Sequence, residues 1–154
     1  MPGPYLNTGA FKTRVTSNDS TQQEELGVWR FEDGNIYRYV RANALIPRGE
    51  PVVLDTTVTT AALMGHYVLQ LSSATAMIMG IAEATLASGN FGWITAYGPA
   101  TARVVTNTIP NVALTGSTTT GVLATWSSTA GLFERAIALQ TGLSAGSAVF
   151  ITAL

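Results

Sequence analysis

The amino-acid sequence predicts an all-β protein: a compact β-barrel, β-tulip-like or sandwich domain with an extended N-terminal arm and at most one or two short helices. Three observations carry that reading. Short runs rich in Val, Ile, Thr, Tyr and Trp alternate with turn residues. Glycine or proline punctuates the chain at positions 80, 89, 98, 110, 116, 121, 131 and 142, close to the spacing usual in all-β domains. No run holds a convincing amphipathic helical period.

The first 26 residues are rich in Pro, Gly, Thr, Ser, Asn and Gln, and their isolated apolar residues Tyr5, Leu6, Phe11 and Val15 are too sparse for a core. Composition leaves two readings of this stretch: a disordered tail, or an arm ordered against a neighbour and anchored by those residues, with Arg14 beside them. Residues 27–154 form the β domain, a length that suits one core.

The clearest local signal opens that domain. Gly27-Val28-Trp29-Arg30-Phe31 and Ile36-Tyr37-Arg38-Tyr39-Val40-Arg41 flank Glu32-Asp33-Gly34-Asn35. Asp-Gly supplies the positive φ angles of a tight turn, so the segment reads as a β-hairpin. Alternation sets Tyr37, Tyr39 and Arg41 on one face and Ile36, Arg38 and Val40 on the other. Such a surface serves either as cross-strand packing at a sheet edge, with arginine stems over rings, or as a docking face, where Arg and aromatic residues are enriched.

Ile46-Pro47-Arg48-Gly49-Glu50 reads as a turn launching the strand Pro51-Val52-Val53-Leu54, and Gly65 precedes a strand over 66–71. Residues 77–86 and 91–97 flank Ala87-Ser88-Gly89-Asn90, with Gly98-Pro99 closing that pair. Strands are expected over 102–106, 112–115, 121–126, 132–140 and 148–154. The helical rivals are 57–64 and 133–139.

Charge argues against several function classes. Charged residues are 11% of the chain against about 25% in typical domains, and 47% are hydrophobic. A net charge of -1 gives no field to hold nucleic acid. No apolar run approaches the roughly 20 residues that span a bilayer, and Met1-Pro2-Gly3-Pro4-Tyr5 lacks the features of a signal peptide, so synthesis in a cytoplasm is expected. There is no cysteine. His66, the single histidine, has no second imidazole or thiolate, so neither a metal site nor a catalytic triad is expected.

Most carboxylates fall in the arm or at turns. Glu83 interrupts an apolar strand and is read as a buried or interfacial acid paired with Arg103 or Arg135. Gly116-Ser117-Thr118-Thr119-Thr120-Gly121 lacks the lysine of a phosphate loop. The expectation is a binding protein with no catalytic residue and no cofactor. Trp29, Trp93 and Trp126 keep a sugar- or receptor-binding module open as an alternative.

The order of motifs over 26–154 resembles the phage capsid decoration (cement) proteins. It runs from Leu26-Gly27 through Asp33-Gly34-Asn35-Ile36-Tyr37-Arg38-Tyr39-Val40 to Gly49-Glu50-Pro51-Val52-Val53, and then Met79-Gly80-Ile81-Ala82. The glycine-bounded stretch 89–98, Arg135-Ala136-Ile137-Ala138-Leu139 and a final strand over 146–154 complete it. The resemblance implies a structural virion protein, made in the host cytoplasm, that sits on the capsid exterior and stabilises it by bridging subunits. It further implies a homotrimer bound to the major capsid protein, with an N-terminal extension able to reach a neighbour. The interface residues expected on these grounds are Tyr5, Leu6, Phe11, Arg14, Trp29, Arg30, Tyr37, Arg38, Tyr39 and Arg41. A receptor- or carbohydrate-binding module of a tail or fibre is the alternative.

Overall fold

A computed structural model describes residues 11–60, 63–73, 76–106, 108–126, 136–140 and 146–153. Among them are eleven strands and no helix. These are β1 (Asn18–Asp19), β2 (Trp29–Glu32), β3 (Asn35–Ala42), β4 (Pro51–Leu54), β5 (Tyr67–Gln70), β6 (Ile78–Ala82), β7 (Phe91–Ala102), β8 (Ala113–Gly116), β9 (Leu123–Thr125), β10 (Ala136–Ala138) and β11 (Ser147–Thr152).

The β2–β3 hairpin forms as its turn chemistry requires, with Asp33 at φ 50° and Gly34 at φ 81°. From β3 the sheet closes on itself. β3 pairs in parallel with β5; the β5–β4, β4–β6, β6–β7 and β7–β3 pairs are all antiparallel. The result is a closed barrel with extra strands. Alternate residues point inward and fill it with small and branched side chains: Val40, Ala42, Ile46, Val52, Val68, Ala82, Ala84, Leu86 and Ile94. So few strands leave room for little more.

Two connections in the barrel are copies of each other. Ala42, Ala44, Ile46 and Gly49 recur as Ala82, Ala84, Leu86 and Gly89, with the same succession of strand, turn, bridge, turn and strand. They face each other and exchange bonds reciprocally. The Ile46 N–H donates to the Leu86 carbonyl at 2.9 Å and the Leu86 N–H to the Ile46 carbonyl at 2.8 Å. Gly49 donates to Ala82 at 2.9 Å as Gly89 donates to Ala42 at 2.8 Å. This local two-fold satisfies the backbone of both loops inside the fold, which buried polar groups require.

The extra strands grow from the far half of β7, in the order β7-β11-β10-β8-β9. The last returns to the chain just after β7. Val104 forms a parallel bridge with Leu123; the Leu123 N–H donates to the Arg103 carbonyl at 2.9 Å and the Val105 N–H to the Leu123 carbonyl at 2.8 Å. These strands thus curl around a second core of Ala102, Val104, Leu114, Leu123, Ala136, Ala138, Val149 and Ile151, joined by Ile78 and Ile81 of β6.

Two local expectations are corrected. Gly98-Pro99 does not end a strand: β7 runs through both, pairing Gly98 with Ile151 and Pro99 with Phe150. Gly98, at φ 108°, lies where an added Cβ would stand 3.1 Å from the Asn35 Cα, so glycine serves close approach rather than a turn. The strand expected over 102–106 contributes the end of β7 and the Val104 bridge instead. In the helical rival 57–64, residues 63 and 64 belong to a turn and 61 and 62 lie outside the described residues. The other rival, 133–139, is β10 where it is described.

Candidate interaction surface

The aromatic residues of the hairpin and β7 form a cluster on the outside of the barrel. Tyr37, Tyr39 and Trp93 are buried there, with Phe11, Val15, Leu26, Val28 and Phe91 packed against them. Phe11 meets Trp93 edge-on at 5.3 Å, and Trp93 Nε1 donates to Thr13 Oγ1 at 2.9 Å. Glu24 Oε1 accepts from the N–H groups of Lys12 at 2.6 Å and Thr13 at 3.0 Å, and β1 pairs with β7. Residues 11–26 are therefore laid across their own domain. Burial raises the Tyr39 phenol above its usual pKa, which keeps the hydroxyl protonated beside the Gln23 N–H.

The arginines are also occupied within the chain. Arg30 is paired with Glu32 at 2.8 Å, donates to the Thr13 carbonyl at 2.8 Å and lies 5.0 Å over Phe11. Arg38 donates to the Gly65 carbonyl at 2.8 Å, stands 3.3 Å from His66 Nδ1 and covers Trp29 at 5.3 Å. Burial lowers the Arg38 pKa. Arg41 donates to Tyr67 Oη at 2.7 Å and to the Gly89 carbonyl at 3.1 Å. Arg14 is exposed. Tyr5 and Leu6 lie outside the described residues.

Of the residues expected at an interface, Tyr37 and Tyr39 are thus core, and Phe11, Arg30, Arg38 and Arg41 hold the fold together. What faces solvent is a different aromatic row. Trp29 is 39% exposed, Phe31 66% and Tyr97 36%. Phe31 pairs with Ile36, Ile36 with Tyr97, and the Tyr97 ring meets Phe150 edge-on at 5.2 Å, so the row crosses β2, β3, β7 and β11. An open hollow of about 380 Å³ lies along it, lined by Phe31, Asn35, Ile36 and Tyr97 among others.

Sequence reasoning singled out Trp29 here and missed Phe31, Tyr97 and Phe150. The two-residue spacing of Trp29 and Phe31 was a usable signal for a shared face. Tyr97 and Phe150 join them only through strand register, which no local pattern encodes.

The acidic side chains are placed differently from expectation. Glu83 accepts from Thr95 Oγ1, and it is the buried Glu50 that pairs with Arg103 while also accepting from Gln70 Nε2. Arg135 lies outside the described residues. Among the described residues, no three His, Cys, Asp or Glu side chains gather closely enough to hold a metal ion. No family model matches the chain, and no curated protein matches it.

Proposed function

We propose that this chain is a structural protein of a phage virion that binds the outer surface of the assembled capsid and bridges neighbouring capsid subunits, with its copies grouped in threes. The observation that carries the reading is the exposed row Trp29, Phe31 and Tyr97 on a charge-poor β body. Aromatic side chains held on a β-sheet give up little conformational freedom on binding, and they are enriched where protein meets protein. A closed shell presents the same partner surface many times, so modest contacts add into tight retention. The motif order from Leu26 to Leu154 resembles the decoration proteins and supports the choice of the major capsid protein as partner.

No enzymatic role is proposed. Glu50, Glu83, Arg38 and His66 all have side-chain or backbone partners within the chain. The carbohydrate-binding alternative loses Trp93 as a platform, because its ring is buried under Phe11 and Tyr39.

Adding the purified chain to undecorated capsids and imaging them by electron microscopy tests the proposal. Repeated density on the outer surface is expected, and a Phe31→Ala/Tyr97→Ala variant should need at least about tenfold more protein for equal occupancy. A shell with no added density overturns the reading.

A further inference from the structure

The direction of each backbone group in β2 follows from the hairpin turn. In a two-residue hairpin the residues flanking the turn, here Glu32 and Asn35, exchange hydrogen bonds, and so does every second pair behind them. The Tyr39 N–H meets the Val28 carbonyl at 3.1 Å in the same phase, which places Arg30 and Glu32 among the residues bonded to β3. The N–H and C=O groups of Trp29 and Phe31 therefore point to the open side of the sheet. β2 ends the strand order there, and among the described residues no hydrogen bond reaches those groups.

Sheet edges are usually blunted by proline, lysine, an unpaired charge or a bulge. β2 has no proline, no lysine and a regular register. Its two charged residues, Arg30 and Glu32, already neutralise each other at 2.8 Å. The side chains beside the open groups are the exposed rings of Trp29 and Phe31.

We propose that this edge pairs antiparallel with the β2 edge of a second copy, across a two-fold axis centred on Phe31. Register selects that centre. With Phe31 opposite its counterpart, the two residues exchange a pair of main-chain hydrogen bonds and each Arg30 faces the Glu32 of the other copy. Centred on Arg30 instead, the pairing sets two like charges directly opposite, which is unfavourable. The two-fold contact is isologous and closes after two copies, so it gives a discrete dimer rather than a fibre. It also brings the two exposed Phe31 rings together on one face of a joined sheet. It does not rest on the capsid reading, although Phe31 serves in both: it concerns the isolated chain, and sedimentation in the absence of capsids tests it alone.

Sedimentation velocity of the full chain over a concentration series tests it, with thermal melts as the control for folding. The expected result is a monomer–dimer equilibrium. Phe31→Pro removes a donor that β3 does not use, together with the ring, and should weaken dimerisation at least about tenfold. Glu32→Arg leaves the backbone intact but sets arginines against each other across the axis, and should weaken dimerisation by a similar factor. Exchanging the pair, Arg30→Glu with Glu32→Arg, restores complementarity and should recover it relative to Glu32→Arg alone.

A chain that stays monomeric up to about 1 mM overturns the proposal, as does self-association that Glu32→Arg leaves unchanged. Capture of an extended peptide on β2 without any dimer overturns it too, since the edge would then serve a different partner.

Discussion

His66 ties its own turn to both sides of the hairpin much earlier in the chain. Its ring lies against Gly27, its Nδ1 stands 3.3 Å from Arg38 Nη2, and its carbonyl accepts from the Arg41 N–H at 3.0 Å. Burial first, and the Arg38 cation second, lower the imidazole pKa, with Glu25 opposing them. The fold thus holds the neutral ring. The stability this contributes is present above the ordinary imidazole value and is lost as pH falls through it toward the depressed folded value. Denaturation midpoints should therefore drop as pH falls below about 6.5, and His66→Gln should flatten that part of the profile. Asp55 does not confuse the window. Its carboxyl is held below the usual range chiefly by Thr57 Oγ1, so its contribution disappears only at lower pH. Parallel pH profiles for the variant and the parent would refute the role given to His66. The sequence placed this histidine at a strand start; it stands in the turn one residue before β5, and no local pattern brings Arg38 to it. The same applies to Glu50, read as a turn residue and found buried against Arg103 and Gln70.

Among the elements, the hairpin was the most legible and the segment before it the least, for a physical reason. Asp33-Gly34 dictates its own turn, and alternating Tyr37, Tyr39 and Val40 dictate faces, so local chemistry suffices. Residues 11–26 have no period, and their attachment relies on a few contacts with β7, chiefly Phe11 and the Thr13 hydroxyl on Trp93 and the short β1–β7 pairing. Those contacts make a measurable prediction. Phe11→Ala removes the edge contact with Trp93 and the ring beneath Arg30, and should cost about 2 kcal/mol, less than a fully buried phenylalanine because Phe11 is only partly covered. Trp93 should become wetter, seen as a red shift in its emission. Unchanged emission with unchanged stability would mean that the segment contributes nothing to the cluster. The repeated loops around Ile46 and Leu86 were present in the sequence throughout. Their shared positions are mostly alanine and glycine, which recur too often in this chain for the match to stand out without the reciprocal hydrogen bonds.

The molecule as a whole turns on β7, which supplies one wall of the closed barrel with its first half and one edge of the second ring with its last. β6 likewise lends Ala82 to one core and Ile78 and Ile81 to the other. Neither core has a set of strands to itself. Each would also be small on its own, in the range where a domain buries too little surface to be stable without help. The two should therefore unfold as one unit despite having separate interiors. Gly98 is the place to test this, because it sits where β7 passes from one ring to the other and β3 crosses it closely. An added Cβ there would strike Asn35, at a φ of 108° that side chains rarely adopt. Gly98→Ala should destabilise by about 2 kcal/mol or more. If the rings are coupled, the loss appears equally at a probe near the first core, Trp93, and at one beside β9, Trp126, followed in single-tryptophan variants. A single transition that shifts as a whole, with calorimetric and van't Hoff enthalpies in agreement, is the expected outcome. Two transitions, only one of them shifted by Gly98→Ala, would show that β7 joins two independent units instead of welding one.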